Sequence, residues 1–202
     1  MTAEAQARAG LVISPATLAL LETPDRAGLD IGAQAPPFED LLGVDSKRYG
    51  LSTFADRDAL VVIFSSNRCP TVKAYAERLN ELQETFGPRG VQLVAINSVD
   101  PHLYPDERYQ RMVDRAREDS YAFPYLADPD QAVARAYGPT CTFHVFLLDR
   151  ERRLRYEGRF DNARLAERVT SKDLEVALEA VLAGREVKVT RTRAFGCALD
   201  IG

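Results

Sequence analysis

The sequence predicts an α/β domain with a mixed central sheet flanked by helices. Three observations carry that expectation. Leu60–Phe64 (LVVIF) is a continuous apolar run of the kind that fills a buried central strand. From Pro70 the apolar spacing turns helical, with Val72, Ala76, Leu79, Leu82 or Gln83, and Phe86 on one stripe and Gly87-Pro88 closing it. Val91–Ile96 (VQLVAI) is a second buried run, so the three together make the crossover unit of a parallel sheet.

The remaining elements follow in chain order. Residues 1–30 give only a short helix near Ala16–Leu21, and Gly32–Phe38 (GAQAPPF) must be extended or turned around its two prolines. Lys47–Leu51 reads as a short strand after the Val44-Asp45-Ser46 turn. Pro105 opens a helix to about Asp119, with Tyr109, Met112, Val113 and Ala116 inward. Asp128 is expected to cap a short helix that starts at Pro129 and ends at Gly138. Phe143–Leu148 and Arg152–Glu157 flank the charged turn Asp149-Arg150-Glu151 as a hairpin. Thr170 to Asp173 resembles a capping box that opens a last helix to Ala183, stopped by Gly184. The expected division is an N-terminal extension (1–31), one domain (32–185) and a tail (186–202) that carries Cys197.

At 202 residues the chain can bury a substantial core. An apolar fraction of 46%, a charged fraction of 28% and a net charge of −4 belong to an ordinary globular protein. No like-charge block stands out, which argues against nucleic acid or an anionic membrane as the main partner. No stretch reaches the ~20 apolar residues of a membrane-spanning helix. Leu11–Leu21 (LVISPATLALL) makes a poor signal peptide, because Glu4 and a single Arg8 precede it and Pro15 interrupts it. The expected location is the cytoplasm. Cys69, Cys141 and Cys197 are odd in number and widely spaced, which does not suit a disulfide framework.

Cys69 is the residue on which chemistry is expected. It falls at the N-cap of a helix with Pro70 at the first helical position, where unpaired N–H groups and the helix dipole favour a thiolate. Arg68 and Lys73 add positive charge on either side. A thiolate so placed is a nucleophile without a histidine base.

The stretches GAQAPPF, NRCPTVKAY, VQLVAINSVDPHLYPDE, FPYLADPDQAVARAYG, CTFHVFLLDRERRLRYEGRFDN and FGC resemble, in this order, the thioredoxin-fold redoxins. These are the peroxiredoxin-like, alkyl hydroperoxide reductase/thiol-specific antioxidant superfamily, and the similarity is greatest to a bacterial branch of thioredoxin family proteins. The resemblance implies a thioredoxin-like fold with an inserted helix, and a thiol oxidoreductase that acts on peroxides or disulfides.

Two positions depart from the family's pattern. A Cys-x-x-Cys-Pro site would place its first cysteine at Ser66, and a thioredoxin's second cysteine would fall at Val72, so Cys69 has no partner beside it. The Ser66 hydroxyl could instead bond a thiolate or peroxide oxygen. The family's Thr-Pro, with a cis-proline that faces the cysteine, is Thr142-Phe143 here. A cis bond before phenylalanine would cost roughly 3 kcal/mol, so a trans bond and a reshaped loop are expected. Phe143 then either narrows the pocket or fills the core.

Cys69 is thus the expected nucleophile, with Cys141 and Cys197 as alternative resolving cysteines and Ser66, Asn67, Arg68, Lys73, Thr142 and Phe143 lining the site. The expected partners are a small-molecule peroxide or disulfide and an external thiol reductant, with no cofactor and no resident metal, and a homodimer as an open option. The rival reading is a redox-inactive derivative of the fold that binds a small ligand or a protein partner. A soft metal site of Cys69, Cys141 and His144 is the remotest reading.

Overall fold

The computed structural model of the protein describes residues 28–202. The expected helix at Ala16–Leu21 and the Leu11–Leu21 segment lie outside the described residues. Seven strands form one sheet in the order β2-β1-β5-β4-β3-β6-β7. They are β1 (Leu41–Gly43), β2 (Arg48–Tyr49), β3 (Ala59–Ser65), β4 (Val91–Asn97), β5 (Tyr125–Ala127), β6 (Val145–Leu148) and β7 (Leu154–Gly158). The helices are α1 (Pro70–Phe86), α2 (Tyr109–Glu118), α3 (Ala132–Tyr137) and α4 (Asp173–Leu182). Strands β3, β4 and β5 run parallel, and the flanking strands β1 and β6 run antiparallel to them. The chain has a thioredoxin-like fold.

The central strands are buried on both faces, and alternate side chains feed two separate cores. On one face Ala59, Val61 and Ile63 of β3 meet Val72, Tyr75 and Leu79 of α1 and Leu174 and Leu178 of α4. On the other, Leu60, Val62 and Phe64 meet Tyr137 of α3, Phe146 of β6 and Phe38 and Phe54.

Several boundaries differ from expectation, each for a local reason. The helix expected from Pro105 breaks: residues 105–107 form a 3-10 turn, Arg108 is extended, and α2 starts at Tyr109. The helix expected at Pro129 begins at Ala132, because Gln131 adopts φ 58°. The Asp128 carboxylate still satisfies that helix, accepting the Val133 and Ala134 N–H groups at 3.2 and 3.1 Å together with the Ser98 hydroxyl at 2.6 Å. The capping box at Thr170 does not form. Asn162 instead donates its amide to the Thr170 hydroxyl oxygen and accepts the Thr170 N–H, and α4 starts without a side-chain cap.

The C-terminal segment runs along β7. The Glu157 N–H donates to the Thr190 carbonyl at 3.0 Å, and the Thr192 N–H returns to the Glu157 carbonyl at 3.1 Å. A Cβ at Gly158 would lie 2.3 Å from the Thr192 carbonyl oxygen, so the segment approaches closely only because that residue is glycine. Beyond it the chain crosses to the carboxyl ends of β3 and β4.

Candidate functional site

Open α/β sheets expose their binding crevice at the carboxyl ends of the strands, and here β3 ends in the turn Ser66-Asn67-Arg68-Cys69. That turn is built around a buried carboxylate. Glu107 accepts the Ser66 hydroxyl at 2.6 Å and the Arg68 N–H at 3.1 Å on Oε1, and the Asn67 N–H at 2.7 Å and Asn97 amide at 2.9 Å on Oε2. The Ser66 oxygen in turn accepts the Cys69 N–H at 3.2 Å. Ser66 therefore spends its proton on Glu107 and holds the turn, rather than offering it to a substrate oxygen. Asn67 is buried beneath, joined to the Asp106 carbonyl and the Tyr125 hydroxyl, both at 2.9 Å. Nothing in the spacing of Glu107 marks it out, since an acidic residue after Tyr-Pro-Asp reads as the first turn of a helix.

Cys69 is the N-cap of α1, with φ −67° and ψ 117°, and is 1% exposed. Burial alone would push its thiol up. Hydrogen bonds from the Cys197 thiol, the Thr142 hydroxyl and the Val72 and Cys197 N–H groups outweigh it, and the net shift is downward. Neither of the cations expected to activate Cys69 is among these causes. Arg68 is exposed and lies 4.5 Å over the Tyr104 ring, while Lys73 is exposed and does not line the cleft.

Thr142 and Cys197 hold each other across the site. The Thr142 N–H donates to the Cys197 carbonyl at 2.9 Å, and the Cys197 N–H donates to Thr142 Oγ1 at 3.1 Å. The Thr142 hydroxyl proton has two acceptors in reach, the Cys197 carbonyl at 3.3 Å and the Cys69 sulfur, and ionisation of Cys69 draws it to sulfur. Burial and the facing Cys69 push the Cys197 thiol up. The two thiols are thus shifted in opposite directions, Cys69 downward and Cys197 upward. Cys141 is buried off the cleft, its thiol pushed up by burial.

Phe143 follows Thr142 through a trans bond, as expected, but with φ +70°, a conformation strained for a bulky side chain. Its ring is 1% exposed, 4.2 Å from Tyr75 and 6.1 Å from Phe160 between centroids. It fills the core and does not narrow the cleft. The left-handed turn breaks the strand alternation, so β6 starts at Val145 and His144 does not share the face of Thr142. His144 Nδ1 instead accepts the Thr140 N–H at 3.1 Å, and burial lowers its pKa to about 4. Among the described residues no three His, Cys, Asp or Glu side chains are grouped to hold a metal ion.

A cleft of about 630 Å³ opens beside Cys69. Its walls are Arg68, the loop from Val99 to Glu107 with Leu103 and Tyr104, Thr142, and the tail from Cys197 to Asp200. Of the lining expected from sequence, Ser66, Arg68 and Thr142 are on it; Asn67, Lys73 and Phe143 are not.

The family model described as Redoxin matches residues 30–178. The chain belongs to the Redoxin family. That membership makes it a thiol oxidoreductase in general type. The chain is similar to the crystal structure of a hypothetical protein, SMc02350, from Sinorhizobium meliloti 1021. Identity is 40% over 85% of this chain and 94% of that one, with a TM-score of 0.79. A conserved protein from Geobacillus kaustophilus matches at 36% identity over 86% and 93% of the two chains, with a TM-score of 0.80. The peroxidoxin BcpB from Mycobacterium tuberculosis shares the fold at 17% identity, over 77% and 95% of the chains, with a TM-score of 0.55. Among curated proteins none matches the chain. Among the described residues of this redoxin, no helix is long and apolar enough to cross a membrane.

Proposed function

We propose that this redoxin reduces small peroxides or low-mass disulfides, with Cys69 as the nucleophile and Cys197 as the resolving thiol. The observation that carries the reading is the Cys197 thiol facing the Cys69 sulfur at the start of α1 and favouring its thiolate. With a peroxide, the Cys69 thiolate attacks the distal oxygen, the O–O bond breaks, and the alkoxide leaves with a proton from solvent as an alcohol. Cys69 is oxidised to the sulfenic acid. The Cys197 thiol then displaces hydroxide from that sulfur, and its proton leaves with the hydroxide as water. This yields a Cys69–Cys197 disulfide, which an external dithiol reduces while becoming a disulfide itself. With a disulfide substrate the first step is attack on sulfur and expulsion of a thiolate. No step calls for a cofactor. Three free thiols fit a reducing compartment, and the reading places the protein in the cytoplasm as part of peroxide defence.

The test is stoichiometric hydrogen peroxide followed by peptide mapping under non-reducing conditions. A Cys69–Cys197 disulfide is expected, and iodoacetamide should alkylate Cys69 with a midpoint below the ordinary value of about 8.5. A midpoint at or above that value, or oxidation that leaves Cys69 untouched, would overturn the reading.

A further inference from the structure

The groups that act on Cys69 come from three parts of the chain, and one buried ring joins all three. Tyr75 stands on α1, the helix that Cys69 caps, and is fully buried. Its ring centroid lies 4.2 Å from that of Phe143, the residue after Thr142. It lies 6.3 Å from that of Phe195, just upstream of Cys197 on the tail. Phe160 meets it edge-on at 5.5 Å, and the Arg78 guanidinium lies 3.6 Å over its face. The ring is also tied at its far end. The Tyr75 hydroxyl donates to the buried Asp161 carboxylate, with the Ala163 carbonyl at 2.9 Å also in reach. Arg78 holds the same carboxylate and donates to the Ala163 and Arg164 carbonyls. Burial and Asp161 push the Tyr75 pKa up, so its hydroxyl stays a donor.

We propose that Tyr75 is the positioning residue of the site: its ring sets Thr142 and Cys197 against the Cys69 sulfur, although Tyr75 does not line the cleft. The inference rests on Cys69 being the nucleophile. Phe143, at φ +70°, turns its ring inward onto Tyr75 and so orients the peptide that follows Thr142. Phe195 brings the tail to the same ring, and the tail touches the Thr142 loop directly, since a Cβ at Gly196 would lie 1.8 Å from the Thr142 carbonyl oxygen. Hydrogen bonds weaken steeply as donors swing out of line. A platform shared by Thr142 and Cys197 therefore governs both donors at once. Tyr75 takes no chemical step itself; it acts through the two groups that it holds.

The test is the pH profile of Cys69 alkylation by iodoacetamide in Tyr75→Leu and Tyr75→Phe, with urea unfolding of each alongside. Leucine removes the platform. Phenylalanine keeps a ring between Phe143, Phe160, Phe195 and Arg78 and loses only the hydroxyl. Tyr75→Leu should raise the Cys69 midpoint by about one pH unit or more, the worth of a hydrogen bond to a charged group. It should also slow peroxide-driven formation of the Cys69–Cys197 disulfide about tenfold. Tyr75→Phe should unfold at lower urea than wild type and yet keep the wild-type midpoint, a separation that a purely structural role would not give. Phe195→Ala, on the half-buried part of the tail, covers the case in which Tyr75→Leu does not fold. Disulfide formation should slow there by about threefold or more. A midpoint unmoved in Tyr75→Leu, or moved equally in Tyr75→Phe, would overturn the proposal, as would unchanged disulfide formation in Phe195→Ala. A wild-type midpoint at or above about 8.5 would instead sink the assignment of Cys69, and this inference with it.

Discussion

The Ser66 hydroxyl donates to Glu107 Oε1 at 2.6 Å, joining the end of β3 to a turn 41 residues further along the chain. Through that bond the start of α1 is fixed by a carboxylate that is only 3% exposed.

Glu107→Gln should therefore act on stability before it acts on chemistry. The amide group of glutamine must face either the Arg68 or the Asn67 N–H, neither of which can turn away. An orphaned buried donor costs about 1–3 kcal/mol. Urea unfolding should show a loss of that size, and an unchanged midpoint would contradict the role given to Glu107.

Thr142→Val keeps the shape and removes the hydroxyl that stabilises the thiolate and holds the Cys197 N–H. The alkylation midpoint of Cys69 should rise towards the free-thiol value of about 8.5. Peroxide-driven formation of the Cys69–Cys197 disulfide should slow in the same variant, as read by non-reducing mapping.

His144 is held neutral by burial, with its pKa near 4 against an ordinary 6.5. As pH falls below 6.5 the unfolded chain takes up a proton that the folded chain refuses, so stability is lost until the folded group titrates near 4. Between pH 7 and about pH 4.5 wild type should lose roughly 2–3 kcal/mol more than His144→Gln in urea unfolding. Parallel losses in the two proteins would show that His144 does not carry the effect.

At Phe143 the usual order of small residues should invert. Phe143→Ala loses the ring packed on Tyr75 and Phe160, at a cost of about 3–5 kcal/mol. Phe143→Gly loses the same ring but relieves the φ of +70°. Glycine should therefore be the more stable variant by about 1 kcal/mol, whereas in an ordinary strand it would be the less stable. Thermal or urea unfolding of the two variants decides it.

The strand–helix–strand unit was legible because its apolar periodicity is strong: LVVIF became β3 and the stripe from Val72 to Phe86 became the buried face of α1. The short strand β5 was not, since Tyr125–Ala127 is too brief to alternate and pairs only through the partners folding brings. Cys69 could be singled out because its helix start is a local feature. Glu107, which holds the turn before it, could not, because it reaches Ser66, Asn67 and Arg68 by long-range hydrogen bonds, while the adjacent cations that proximity in sequence suggested point elsewhere. Asp161 is buried and paired with Arg78 and the Tyr75 hydroxyl, a network equally invisible to spacing.

The segment laid along β7 bears on how these molecules behave at high concentration. An edge strand with free N–H and C=O groups is a template for another chain's strand, and an extended sheet grown that way is a route to aggregation. Here the outward groups of Glu157 are already bonded to residues 190 and 192. Sheet-to-sheet joining at that edge is blocked, and any pair of these molecules would have to meet across side chains instead of backbones there.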